Sequence, residues 1–281
     1  MNIVQISDTH ISHRGGIPND NFARLARFIN QELKPDLVVH SGDVVILNPD
    51  IEADRHAARE LFDRLDAPVR VLPGNHDVGE PGDRPWAGFA TTTERVKAFT
   101  DVFGPDHWLE TVGDYAAIGI NSEILTTGTP EEDEQWAWLA GLPEQVAGRP
   151  ALVFCHKPFW PPVPGVAEHA VAIPEAARDR LLRALAGVHV VAYGSGHLHH
   201  YAVGSFGDAV TVSAPSTAFV VQGHEAMVGP GLVQLGVVEY CGVDGGVQPY
   251  FRGVPDLVEG SPLAVDAFVA EVAELGITVE I

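Results

Sequence analysis

Cysteine is nearly missing from this chain: of 281 residues only Cys155 and Cys241 carry thiols. Two cysteines exclude a disulfide framework, and Cys155, at the end of an apolar run, reads as a small core residue. Positive charge is scarce too. The 17 Lys and Arg face 38 Asp and Glu, giving a formal charge of −21, too little cation to neutralise a nucleic-acid backbone. The acid excess favours solubility. A hydrophobic content of 46% with 20% charged residues is that of an ordinary globular protein, neither disordered nor membrane-spanning. Repeats, low-complexity tracts and obvious linkers are also lacking. So is room for an export signal: Ile3-Val4-Gln5-Ile6 starts almost at Met1 and runs into Asp8. A cytoplasmic location is therefore the expectation.

What is present is a regular opening. Ile3–Ile6, Leu37–Val39 and Val69–Leu72 are short apolar runs suited to strands buried on both faces. Between the first two, Phe22, Leu25, Phe28, Ile29 and Leu33 form a helical stripe that Pro35 ends. Between the second and third, Ala53, Ala57, Leu61 and Leu65 repeat at helical spacing. A β-α-β-α-β series predicts parallel strands with right-handed crossovers. Beyond it, Thr91–Phe103 and Glu131–Leu142 read as helices, and Tyr115–Ile120, Ala151–Phe154, Val188–Ala192, Tyr201–Val203, Ala209–Ser213 and Gly231–Tyr240 as strands. Ser261-Pro262 starts a last helix, which runs to Leu275 and stops at Gly276. At this length one large domain can bury a substantial core. The expectation is a domain over residues 1–258 with a helical appendage over 259–281, which either seals the core or forms a homo-oligomer contact.

Five short segments, far apart in sequence, end in residues that bind metal. They are Asp8-Thr9-His10, Gly42-Asp43, Gly74-Asn75-His76-Asp77, His156 and Gly196-His197-Leu198-His199. Taken singly they say little: an Asp-x-His is usually a strand-end turn, and Gly-Asn-His-Asp can be a hydrogen-bonded turn. Together they deliver oxygen and imidazole donors from the carboxyl ends of parallel strands, the edge where open α/β sheets bind ligands. Gly42 and Gly74 precede the donors where the chain must turn tightly. Such a donor set suits two divalent ions, Mn, Fe or Zn, with no thiolate required.

The ordered series resembles the calcineurin-like metallophosphoesterase superfamily, and more closely its class III cyclic-nucleotide phosphodiesterase branch. That resemblance runs from Asp8 to about His200. It implies an α/β fold, a four-layer α/β/β/α sandwich of two mixed sheets. It also implies that Asp8, His10, Asp43 and His199 hold one metal, that Asp43, Asn75, His156 and His197 hold the other, and that a hydroxide bridging the two attacks the phosphorus. His76 is then the catalytic residue, with Asn75 and His76 meeting the substrate. One departure stands out. Many relatives place an Asp three residues after the Gly-Asp to support the catalytic His; here that position is Ile46, leaving Asp50 or Glu52 to supply the support. Asp77 either orients His76 or holds its loop.

The expected activity is hydrolysis of a small phosphodiester, with a phosphomonoesterase or protein phosphatase as the alternative, and a catalytically silent metal-binding scaffold as the reading from another class. Neither nucleic acid nor a membrane is an expected partner. Of the remaining histidines, His40 reads as a packed residue with one hydrogen bond, and His56, His107, His169 and His189 as surface or loop residues. His13, His200 and Arg14 lie close to the donors in sequence. Phe159 and Trp160, ahead of Pro161-Pro162, either pack or stack on a substrate. Specificity is expected from the loops Gly79–Gly88 and Phe159–Gly165.

Overall fold

Alternating apolar runs and amphipathic helices build two packed sheets in a computed structural model that describes residues 1–82, 85–166, 171–223 and 225–277. His169 and part of the Gly79–Gly88 loop, Asp83 and Arg84, lie outside the described residues. The first three strands, β1 (Asn2–Ile6), β2 (Leu37–Ser41) and β3 (Val69–Leu72), are parallel, with Ile3 opposite Leu37 and Val38 opposite Val69. Their connections are helix α1 (Ile17–Phe28), continued by a wider turn of helix to Leu33, and helix α2 (Glu52–Phe62). The second helix is rotated from the expected stripe. Its buried face is Asp54, Arg55, Ala58, Leu61 and Phe62, whereas Ala53 is exposed. A buried Asp and Arg break the apolar periodicity by which the stripe was read.

The remaining strands are β4 (Trp108–Val112), β5 (Tyr115–Gly119), β6 (Ala151–Phe154), β7 (Val190–Ser195), β8 (Ala202–Phe206), β9 (Ala209–Ser213), β10 (Gly236–Val243) and β11 (Gly246–Gly253). One sheet has the order β11-β10-β1-β2-β3 and the other β4-β5-β6-β7-β9-β8. Both are mixed, since β10 runs antiparallel to β1 and β4 antiparallel to β5. Ile3, Val39, Phe154, Val238 and Tyr240 fill the space between the sheets. On the outer face of the first sheet, Val4, Ile6 and Val38 pack with Phe22, Leu25 and Phe62 and with Val96 and Phe99 of helix α3 (Thr93–Phe103). On that of the second, Ile118, Val153 and Tyr193 pack against Trp136 and Leu139 of α4 (Pro130–Ala140) and Leu181 of α5 (Glu175–Ala184). The result is the expected four-layer α/β/β/α sandwich.

The C-terminal segment folds in two parts. A short turn at Pro262–Ala264 precedes helix α6 (Asp266–Leu275), which Gly276 ends at φ 65°. Val265 and Phe268 pack on Ile46, Leu47 and Phe219, beside the strand ends that carry the polar residues. No helix among the described residues is long and apolar enough to cross a membrane.

Candidate metal centre

Asp8 and His10 follow β1, Asp43 follows β2, Asn75 and His76 follow β3, His156 follows β6, and His197 and His199 follow β7. Both sheets thus bring their carboxyl-terminal edges to one place. The turns that do this are strained: Asp8, His10, Asp43, His197 and His199 have φ of 53°, 46°, 54°, 69° and 55°. Left-handed backbone costs a non-glycine residue of order 1–2 kcal/mol, so the surroundings must hold it. They do so by zipping two segments together, with Asp8 N–H donating to Gly42 O at 3.0 Å, His10 N–H to Asp43 O at 3.1 Å and Ile11 N–H to Val44 O at 2.7 Å. The Ser216 hydroxyl adds a bond to Asp8 O at 2.9 Å. Gly74 is needed for close approach instead, because a Cβ there would overlap Asp43 Oδ1 and Asp43 N.

The donor atoms converge. Asp8, His10 and His199 offer ligand atoms within 4.8 Å of one another, as do Asp43, His156 and His197, and as do His10, Asp43 and His76. Asn75 joins the second group, its Oδ1 lying 3.1 Å from His156 Nε2. Asp43 belongs to two of the groups, the position a bridging carboxylate needs.

The chemistry of these atoms fits cations. His10 Nδ1 donates to Ile46 O (3.2 Å), His156 Nδ1 to Ser41 O (2.9 Å) and His199 Nδ1 to Phe219 O (3.1 Å). A carbonyl only accepts, so each Nδ1 carries hydrogen and each Nε2 of a neutral ring presents a lone pair inward, the backbone arrangement typical of ligating histidines. His10 Nε2 and His199 Nε2 then face each other at 3.1 Å, and Asp8 Oδ1 is buried without a hydrogen-bond partner among the described residues. Converging lone pairs repel unless a cation lies between them.

Electrostatics agree. Burial opposes ionisation of Asp8, yet His199 and His156 hold its carboxyl well below the usual range. Burial likewise opposes ionisation of Asp43, and His156 and His76 override it. Burial pulls His156 down, but Asp43 and Asp8 raise it to about 10; His199 rises for the same reason through Asp8. His10, where burial and the charge of His76 dominate, falls to about 3. The carboxylates therefore draw positive charge to this spot, whether carried by protons or by metal.

His76 is half-buried, at the rim of the group. Its N–H donates to Asp43 Oδ1 at 2.9 Å, its Nδ1 donates to Ile46 O at 2.9 Å, and its Nε2 lies 3.8 Å from Asp43 Oδ2. The expected support from Asp50 or Glu52 is corrected: Asp50 pairs with Arg95, Glu52 with His56, and it is the Ile46 carbonyl that His76 Nδ1 meets. Asp77 holds the loop. Its carboxylate accepts the N–H groups of Val44, Val45 and Gly74 at 2.8–3.0 Å, while burial and Asp43 push it up to about 7.

Two contributors carry no mark in the sequence. His40 has two hydrogen bonds where one was expected: Nδ1 accepts the Gly42 N–H at 3.2 Å and Nε2 donates to Thr9 Oγ1 at 2.9 Å, tying the β1 and β2 turns together. Phe219 stacks on His10 with ring centroids 4.6 Å apart. Its carbonyl orients His199. Nothing in the sequence marks a backbone carbonyl as functional. Conversely, His13 turns to Asp54 at 2.6 Å and Arg14 pairs with Glu274 at 2.9 Å.

The family profile described as "Calcineurin-like phosphoesterase" matches residues 1–201. The chain belongs to that family of dimetal hydrolases. It is 25% identical over 232 residues to an Arcobacter nitrofigilis protein named "Probable glycerophosphodiester phosphodiesterase GpdQ", spanning 79% of this chain and 80% of that one. It is 27% identical over 231 residues to a Rhodococcus erythropolis protein named "Probable cyclic nucleotide phosphodiesterase", spanning 77% and 71%. Among solved structures, a dimetal phosphatase from Danio rerio superposes with a TM-score of 0.57 at 12% identity, over 92% of this chain and 97% of that one, which speaks for the fold.

Proposed function

We propose that the protein is a two-metal phosphodiesterase acting on a small diester, with Asp8, His10, Asp43 and His199 holding one ion and Asp43, Asn75, His156 and His197 the other. The observation that carries this reading is the convergence of seven donors from both sheets on one crevice, with three imidazoles aimed inward by carbonyls. When bound, Mn, Fe or Zn ions supply an acidified water and neutralise phosphoryl charge.

The side chains do the rest. Asp43, fixed by the His76 N–H, belongs to both donor groups and would be the carboxylate shared by the two ions. Ile46 O keeps the His76 Nδ1–H engaged and so fixes the orientation in which Nε2 would meet substrate. Protonated there, it donates to the oxygen that accumulates charge as the ester bond breaks, and so serves as general acid. Asn75 and the half-buried His76 form the rim that meets the phosphoryl group. A diester, with one negative charge, is favoured over a monoester because nearby basic groups are already engaged: Arg14 by Glu274, Lys157 by Glu80 and Glu123. The names of the two relatives point the same way.

The test is a comparison of bis(p-nitrophenyl) phosphate with p-nitrophenyl phosphate, with Mn supplied. The diester is expected to turn over at least about tenfold faster. A preference for the monoester would give the site to a phosphomonoesterase, and inactivity on both, with no metal bound, to a scaffold. His76→Ala should retain both metals and lose turnover, whereas Asp43→Asn should lose both. Full activity in the first variant removes His76 from the chemistry.

A further inference from the structure

Gln5 carries a polar side chain into the space between the two sheets. It shares a face of β1 with Ile3 and is fully buried. A buried amide is costly unless its hydrogen bonds are made, and here each bond reaches a different strand. Oε1 accepts the Tyr240 hydroxyl of β10 at 2.7 Å. Nε2 donates to Ser41 Oγ of β2 at 2.8 Å and, across the gap, to Ser195 O of β7 at 3.1 Å. A carbonyl only accepts, so the amide has one orientation and both of its hydrogens are committed.

Two of these bonds lead toward proposed metal ligands. The Ser41 carbonyl accepts His156 Nδ1–H at 2.9 Å, and Ser195 lies two residues before His197. The sheets come close here. A Cβ on Gly194 would stand 2.7 Å from Gln5 Oε1 and 2.9 Å from Tyr240 Oη, and one on Gly196 would overlap Ser7 Oγ. The β7 segment thus offers no side chain at these two steps, and the Gln5 amide reaches across from β1.

The two ion positions depend differently on that reach. In the first set, Asp8, His10 and Asp43 follow strands of one sheet and His199 alone follows a strand of the other. In the second set, Asp43 and Asn75 come from the first sheet, His156 and His197 from the second. A slip of one sheet against the other keeps three donors of the first set together but divides the second set in half.

We infer that Gln5 is a positioning residue: through Ser41 Oγ and Ser195 O it fixes the two ligand-bearing sheet edges relative to each other. It thereby sets the affinity for the ion held by Asp43, Asn75, His156 and His197. This rests on the donor assignment proposed above, and not on the choice between diester and monoester.

The test is calorimetric titration of metal-stripped protein with Mn, with electron paramagnetic resonance to tell coupled from isolated ions. Gln5→Met keeps an unbranched side chain of similar length and drops both N–H donors, but it leaves the Tyr240 hydroxyl without its acceptor. Adding Tyr240→Phe removes that orphan, while Ser41 Oγ keeps Ile6 O at 3.5 Å and Ser195 O keeps the Ala214 N–H at 2.7 Å. The double variant should therefore regain the urea midpoint that Gln5→Met alone loses. Its second ion should still bind about tenfold more weakly, as when the support of a metal ligand is removed, and the coupled Mn signal should give way to that of an isolated ion. Tyr240→Phe alone should load two ions as the native protein does. In a His10→Ala background, which leaves the second ion, the double change should weaken Mn about tenfold; in Asn75→Ala, which leaves the first, it should matter less. The inference is overturned if the double variant binds both ions as the native protein does, or if both ions weaken equally. A native chain that takes up fewer than two Mn sinks the two-metal reading, and the role of Gln5 with it. Two bound Mn without turnover of either aryl ester sinks only the hydrolytic chemistry.

Discussion

Glu271 should make the fold lose stability as pH rises. It projects from the C-terminal helix, is 1% exposed, and accepts the Asn48 N–H at 3.1 Å. Its neighbour Asp54 is fully buried, with Oδ1 engaged by the Ser12 hydroxyl and by His13. Burial, and next the charge of Asp54, raise Glu271 from 4.5 to about 8. A free glutamate in the unfolded chain releases its proton near 4.5, whereas the folded one keeps it to about 8. Between those values the folded state binds more protons, so unfolding becomes easier as pH climbs. Each pH unit corresponds to about 1.4 kcal/mol, and the whole window to about 5. Water beside the exposed Arg14–Glu274 pair, one helical turn away, screens part of this and brings the expected loss to about 2 kcal/mol. Urea unfolding of metal-matched samples at about pH 5.5 and about pH 8.5 measures it. Glu271→Gln keeps an acceptor for Asn48 and offers Asp54 a permanent donor, so its stability should fall by about 2 kcal/mol less than that of the native protein over that interval. Asp77 contributes equally to both and cancels in the difference. Parallel pH curves for the two proteins would refute the reasoning.

Other perturbations test the site's supports. Gly74→Ala places a Cβ against Asp43 Oδ1 and Asp43 N; metal content, read by elemental analysis, should fall even where circular dichroism shows a folded chain. Asp77→Ala strips the acceptor from the Val44, Val45 and Gly74 N–H groups and should destabilise by about 3 kcal/mol or more in urea, with Asp77→Asn recovering part. Phe219→Ala removes a ring stacked on His10 and tilted against His199 and should cost about 3–5 kcal/mol, yet at saturating metal it should still load two ions because the Phe219 carbonyl remains. Burial and Glu123 push the Cys155 thiol up, so alkylation of the native protein should label Cys241 alone by mass spectrometry.

Strand ends carried most of what could be read in advance. β1, β2 and β3 announced themselves because strands buried on both faces need uninterrupted apolar runs, and the donor residues follow each run directly. β4 and β11 escaped notice: Trp108–Val112 mixes Glu and Thr into a half-exposed strand, and Gly246–Gly253 holds a Pro and an Arg on an edge, where the pattern relaxes. Helix α2 is legible but its face is not, since Asp54 is buried against Ser12 and His13 and Arg55 against the Pro49 carbonyl, not by hydrophobicity. The donors themselves were legible from residue type and order. Their supports were not, because Ile46, Ser41 and Phe219 act through carbonyls that every residue possesses, and His40 through a tautomer that only its neighbours define.

The Ile46 carbonyl receives the Nδ1 protons of both His10 and His76. A main-chain oxygen cannot be deleted by any substitution, so the residue beneath it is free to drift within the apolar contacts of Leu47, Phe219 and Phe268 while the anchorage persists. Two imidazoles geared to one pivot also cannot turn separately. Any displacement of the chain just past Asp43 must swing the proposed metal grip and the proposed acid together, which makes the docking of the C-terminal helix against that stretch a setting for both at once.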